Sequence, residues 1–441
     1  MYDSGPHLSV LLRPRPYALT SGSFLLLPLL PQRQPSKPLP SEVWNIILTY
    51  VIHDYNQLEP LSSESRKIGL LLVCKSLKEV ALPLYYATIQ ITRPSALSRF
   101  ASHIFSADQK WDSIRRIPYS APGRWVHTLD LSNMHFGLWA EACEVDSLLT
   151  RLFPLLPFLE QLLLNPSITL SRQSFHSLAS HDNGRGHLRH LKELKLHSSP
   201  IADPHDDRFI EVLRGCTNLQ ELAIVGSSTE AVHMAMADVD DTDTDTSCVS
   251  QLHLPHLHKL SIISMHASPV MLSLLESPLP SLGHLTITPY DDMSIPGSLV
   301  PRFIATHGAK LRSLHLYAHK SWPTVLFPSP TNLLHTCTQL HHLSLENPLP
   351  NLTTCSIYPS HPLQILSIPR PNPEFLAVLE SLLPKLPSLI AVRARDVRWL
   401  RRGMNAHAQE AGVQGEMREW GRRLARRGIH ILDAEWKRSV E

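Results

Sequence analysis

Val126-His127-Thr128-Leu129-Asp130-Leu131, Leu159-Glu160-Gln161-Leu162-Leu163-Leu164 and Leu191-Lys192-Glu193-Leu194-Lys195-Leu196 are three copies of one six-residue phrase. Further copies run Leu219 to Ile224, Leu257 to Ile262, Leu282 to Ile287, Leu311 to Leu316, Leu340 to Leu345 and Leu363 to Ile368. A weaker one spans Leu389 to Ala394. The first, fourth and sixth residues are apolar, and successive fourth positions lie 23 to 38 residues apart. Self-similarity of this kind decides architecture before any single residue does.

In a strand, side chains alternate between faces, so the fourth and sixth residues share one face and the residue between them points the other way. The first leucine fills the turn into the strand. One such strand cannot bury its face alone, so neighbours stack and share a continuous core. Between the phrases lie apolar residues at helical spacing: Leu148, Leu149, Leu152 and Phe153; Phe209, Ile210 and Leu213; Met271, Leu272 and Leu275; and Phe375, Leu376, Leu379, Leu382 and Leu383. Pro154, Pro278 and Pro384 end such segments, because proline cannot continue a helix. One strand and one helix per unit predict an α/β solenoid with a parallel sheet.

The phrase and its spacing resemble the leucine-rich repeat over roughly residues 120–400. The resemblance implies a horseshoe, with parallel strands concave and helices convex. The family carries Asn or Cys at the ninth position. Here that position holds Met134, Ser167, Ser199, Ser227, Met265, Tyr290, His319 or Pro348, so irregular turns without an asparagine ladder are expected.

A second organised stretch begins at Leu39-Pro40-Ser41-Glu42-Val43-Trp44-Asn45-Ile46-Ile47-Leu48. Ser41 suits a helix N-cap and Glu42 its first turn. Val43, Ile47 and Val51 line one helical face, with Trp44 and Leu48 beside them. After a polar gap, Leu70-Leu71-Leu72-Val73-Cys74-Lys75-Ser76-Leu77 opens a second apolar helix that Pro83 is expected to stop. The pair resembles an F-box, on Leu39, Pro40, Glu42, Ile47, Leu48, Leu72, Val73, Cys74, Lys75 and Leu77. Leu77 stands where the family usually has Trp, and the gap between the helices is longer and more polar than usual. The resemblance implies docking on the Skp-type adaptor of a cullin–RING ubiquitin ligase. Leu39, Pro40, Val43, Ile47, Leu48, Val51, Leu72, Val73 and Leu77 are the candidate adaptor-binding residues. Helices with more large apolar side chains than they can bury internally need a partner surface or a neighbouring module. The alternative is that they only cap the solenoid of a leucine-rich-repeat scaffold without a ligase role.

The remaining segments fall into place around these two modules. Residues 1–38 are proline-rich and acid-poor, and read as a disordered leader. Leu84 to Ile91 already alternates like a strand, and the solenoid is expected over 87–400. The run Asp238-Val239-Asp240-Asp241-Thr242-Asp243-Thr244-Asp245 falls in a long gap and reads as a self-repelling loop at 236–250. It lacks the turn Gly and the final Glu of a calcium loop. Residues 401–441 read as a helical cap ending in an edge strand, Gly428 to Leu432.

The outward residues between fourth and sixth positions run Asp130, Leu163, Lys195, Ala223, Ser261, Thr286, His315, Ser344, Ser367 and Arg393. The candidate face for an unknown protein substrate is His284, Thr286, Ser313, His315, Tyr317, His342, Ser344 and Glu346. Aromatic residues dominate interface hot spots, which singles out Tyr317. The net charge of +2 gives no global field that calls for nucleic acid or a membrane. The six cysteines form no CxxC pair, which favours a reducing compartment, cytosol or nucleus. His253, His256 and His258 match no zinc spacing, so neither metal nor cofactor is expected. No catalytic motif occurs, and a non-catalytic receptor subunit is the functional expectation.

Overall fold

The computed structural model describes residues 39–57, 68–109, 121–137, 139–165, 167–179, 187–196, 207–226, 251–265, 268–288, 299–317, 329–354, 360–399 and 412–438. The leader, the acidic run, the ninth-position residues Ser199, Ser227, Tyr290 and His319, and most of the polar gap between the first helices lie outside them. The chain divides into two compact units, Met1–Leu84 and Tyr85–Glu441. No helix among the described residues is long and apolar enough to cross a membrane.

In the first unit, α1 spans Ser41–Gln57. The Pro40 carbonyl accepts from the Val43 and Trp44 N–H groups, so Ser41 is already the first helical residue and not the cap. A short helical turn at 68–71 follows, and the chain then opens at 72–74. Helix α2, Lys75–Ala87, starts beyond this break, where the Cys74 Sγ accepts from the Leu77 N–H at 3.4 Å. Pro83 does not stop α2. It sits inside the helix, which runs on to Ala87, so Leu84 to Ala87 are helical and not part of a strand.

In the second unit, the described residues form one open twelve-stranded sheet with neighbours in sequence order throughout. The strands are β1 Thr88–Gln90, β2 Thr128–Asp130, β3 Gln161–Leu163, β4 His190–Leu196, β5 Glu221–Gly226, β6 Lys259–Ile263, β7 His284–Ile287, β8 Ser313–Leu316, β9 His342–Ser344, β10 Ile365–Ile368, β11 Ala391–Ala394 and β12 His430–Leu432. Every pairing between these strands is parallel. The crossovers carry α3 Pro94–Gln109, α4 Trp139–Leu152, α5 Arg172–Ala179, α6 Arg208–Gly215, α7 Pro269–Leu275, α8 Val300–His307, α9 Leu333–Thr336, α10 Pro373–Leu382 and α11 Gly412–Ala425. This is a solenoid-like α/β architecture. Helices α4 and α10 end at Leu152 and Leu382, each followed by a 3₁₀ turn holding the expected proline.

The repeat phrase explains the core. Leu222, Leu260, Leu285, Leu314, Leu343, Leu366, Val392 and Ile431 lie side by side across the sheet and are buried. They share one hydrophobic cluster with helix residues such as Leu149, Phe209, Phe303 and Leu379. Trp420 and Leu424 of α11 extend that cluster to β12. The apolar side of the sheet therefore faces the helices, and the other side faces away from them.

One register differs from the sequence reading. Leu191, not Leu194, pairs with Leu162 and Leu222, and a bulge between Leu191 and Leu194 absorbs the extra residue. Leucines at 188, 191, 194 and 196 offer two overlapping phrases, and Leu188, Leu191 and Leu194 are fully buried. Lys192 thus takes the outward position beside Leu163 that the spacing gave to Lys195. The turns also hold one asparagine rung: Asn165 Nδ2 donates to the carbonyls of Ser132 and Met134, at 3.0 Å each.

Candidate functional site

Two surfaces stand out, one in each unit. In the first unit, Leu39, Val43, Ile46, Ile47, Tyr50, Ile68, Leu72 and Val73 are exposed. These are eight of the twelve large exposed hydrophobic side chains among the described residues, so apolar exposure is concentrated in this short stretch. Val43 and Ile47, and likewise Ile46 and Tyr50, stand four residues apart on α1 and project from one side of it. Leu72 and Val73 occupy the break before α2, with Leu72 79 % exposed.

The candidate adaptor residues separate by burial. Leu39, Pro40, Val43, Ile47, Leu72 and Val73 are exposed, while Val51 and Leu77 are half-buried. Leu48 is buried and therefore not available to a partner. Its side of α1, with Trp44 and Val51, turns inward. Ile46 and Tyr50 belong to the exposed side and were missed. Their position three and seven residues after Val43 was the available signal.

The second surface is the outward side of the sheet. The row nearest the strand starts runs Glu221, Lys259, His284, Ser313, His342, Ile365 and Ala391. The next runs Ala223, Ser261, Thr286, His315, Ser344, Ser367 and Arg393. All eight candidate substrate residues belong to these rows or to the one after, but not all are accessible. His284 and Tyr317 are exposed; Thr286, His315, His342 and Glu346 are half-buried; Ser313 and Ser344 are buried. Two small hydroxyl residues flanked by larger side chains contribute little surface.

The larger side chains form a connected layer. His315 Nε2 and His342 Nδ1 are hydrogen-bonded at 3.1 Å, and His342 Nε2 is bonded to Ser367 Oγ at 2.9 Å. Arg395 Nη2 donates to the Leu345 carbonyl and to Glu346 Oε2, both at 2.8 Å. Arg393 donates to the Ala434 carbonyl at 2.6 Å, and its guanidinium lies 4.2 Å from the Trp436 ring centre. Trp436 stands edge-on to His342, 6.1 Å away. The segment after β12 thus folds against this side of the sheet. Asp433 fixes it by accepting from the backbone N–H groups of Trp399, Glu435 and Lys437. Trp436, Arg395 and Ser367 were missed as site residues. Trp436 follows the last strand, where the repeat pattern gives no register.

Burial, and then neighbouring positive charge, sets the electrostatics. His342 is pushed down to about 4 by burial, with His315, Arg393 and Arg395 adding to it. His315 is lowered by burial and by Arg395, and His284 by burial, His258, Lys259 and Arg312. All three imidazoles are neutral at pH 7. Further along, Glu221 accepts from Lys192 Nζ at 2.8 Å, with Lys259 Nζ 3.9 Å away. Among the described residues, no group of three His, Cys, Asp or Glu side chains is gathered to hold a metal ion. The Cys337 thiol is buried and pushed up to about 12, so it is inert. The arrangement offers polar and aromatic contact. No family model matches the chain, and no curated protein has a sequence significantly similar to it.

Proposed function

We propose that this chain is a substrate-recognition subunit of a cullin–RING ubiquitin ligase of the SCF type. Its first unit docks on the Skp-type adaptor, and the outward side of its sheet receives a protein substrate. The observation that carries this reading is the apolar exposure at Leu39, Val43, Ile46, Ile47, Tyr50, Leu72 and Val73. So many large apolar side chains within a short helical stretch are costly in water unless a partner covers them. The F-box resemblance over Leu39 to Leu77 names that partner, and the strand–helix coils are read as leucine-rich repeats. In this reading the chain is not itself an enzyme, and it works in the cytosol or nucleus.

The test is a pull-down of the full-length protein with a Skp-type adaptor, comparing wild type with Leu39→Ala/Pro40→Ala. The proposal predicts capture by the wild type and loss in the variant. A folded wild type that leaves the adaptor unbound refutes it, and the chain is then a repeat scaffold without a ligase role.

A further inference from the structure

The outward side of the sheet from β6 to β11 has an unbalanced charge. Lys259 stands at one end with its side chain more than half exposed, and Arg312 stands exposed at the turn into β8. Arg393 and Arg395 stand at the other end. Exposed Asp396 follows Arg395 beyond β11, and at the outward positions of the described strands β6 to β11 and their direct extensions Glu346 is the one carboxylate. It is already paired with Arg395 at 2.8 Å. Two nearby acids are committed too: Asp433 is buried under three backbone donors, and Glu435 pairs with Lys437 and Arg398.

Between the cations lie His284, His315 and His342. Their pKa values are held down by burial and by the surrounding Lys and Arg charges, with Glu221 alone opposing this at His284. Positive charge thus dominates at His315 and His342, and Glu221, 3.9 Å from Lys259, offsets part of it at the His284 end of the face. Two exposed rings border it, Tyr317 at 40 % and Trp436 at 46 % exposure.

We propose that this face is the docking surface for an acidic peptide segment of a partner protein. Its carboxylates meet Lys259, Arg312 and Arg393, and its apolar side chains rest on Tyr317 and Trp436. The spread of the cations selects a peptide. They are distributed across strands about 4.8 Å apart, so they match a run of single charges and not one phosphate. Charge complementarity of this kind governs partner choice and encounter rate. The inference deepens the receptor reading and rests on it only for the peptide's role as substrate, because the adaptor takes no part in the contact.

The experiment is fluorescence anisotropy of a short labelled Glu/Leu peptide titrated with the full-length protein at low salt. The comparison is Lys259→Ala/Arg312→Ala, which alters two exposed side chains, with Arg214→Ala on α6 as control. The wild type and control are expected to bind alike, and the double variant about tenfold more weakly, with affinity falling as salt rises. A folded wild type that does not bind overturns the inference. So does a double variant that binds as tightly as wild type. A single-stranded oligonucleotide that binds at least as tightly as the peptide overturns it as well, assigning the face to nucleic acid. Peptide binding by a protein that fails the adaptor pull-down would leave this inference standing and remove the ligase reading.

Discussion

At the scale of single residues, the outward face owes its character to imidazoles kept neutral. His342 is held near 4 by burial first and by His315 and the two arginines second. An unfolded histidine titrates near 6.5, so between about 6.5 and about 4 the unfolded chain binds a proton that the folded chain does not. Stability therefore falls as pH drops through that window and levels off below it. His190, His284, His307, His315 and His361 are shifted in the same direction and add to the effect. Urea midpoints at pH 7 and pH 5 are expected to show a lower value at pH 5, with a smaller loss in His342→Gln. An equal or higher wild-type midpoint at pH 5 would contradict this account. His284, His315 and His342 were legible in the sequence as outward residues of the repeat. The depth of the shift at His342 was not, because Arg393 and Arg395, whose charges add to its burial, arrive from a later coil.

At the scale of elements, close approach between neighbouring coils decides several positions. Gly226 ends β5 where an added Cβ would lie 2.1 Å from the Ser264 carbonyl oxygen. Replacing a strand glycine by alanine ordinarily gains about 0.5–1 kcal/mol. Here the sign reverses, and Gly226→Ala is expected to lower the denaturant midpoint; an increase would show that the backbone yields easily. The repeat phrase made the strand order readable and placed the buried leucine column from Leu222 to Val392 correctly. It failed at β4, where four leucines permit two phases and only packing selects between them. It also failed at Pro83. A proline removes one donor, and flanking turns can hold a helix together despite that loss. On α1 the helical period located the apolar residues but not which side is covered, so Leu48 was assigned outward although it is buried.

At the scale of the whole molecule, a stack of coils distributes stability between nearest neighbours. Trp420 closes the last coil, fully buried between α11 and the core that includes Ile431. Trp420→Ala is expected to cost that coil about 3–5 kcal/mol. Hydrogen exchange should then quicken at His430–Leu432 while β5 to β8 keep their protection; uniform loss along the sheet would contradict nearest-neighbour stability. In the first unit Leu48 turns inward, while Leu39, Val43, Ile46, Ile47, Tyr50, Ile68, Leu72 and Val73 face solvent. The most direct test of the central claim is a calorimetric titration of a Skp-type adaptor into the full-length protein, with Ile46→Asp/Leu72→Asp as the comparison. Both changes fall on exposed positions and leave the described core untouched. A complex with a negative heat-capacity change, from burial of apolar surface, is expected in the wild type, and no complex in the variant. A folded wild type that gives no complex, or a variant that binds equally well, would contradict it.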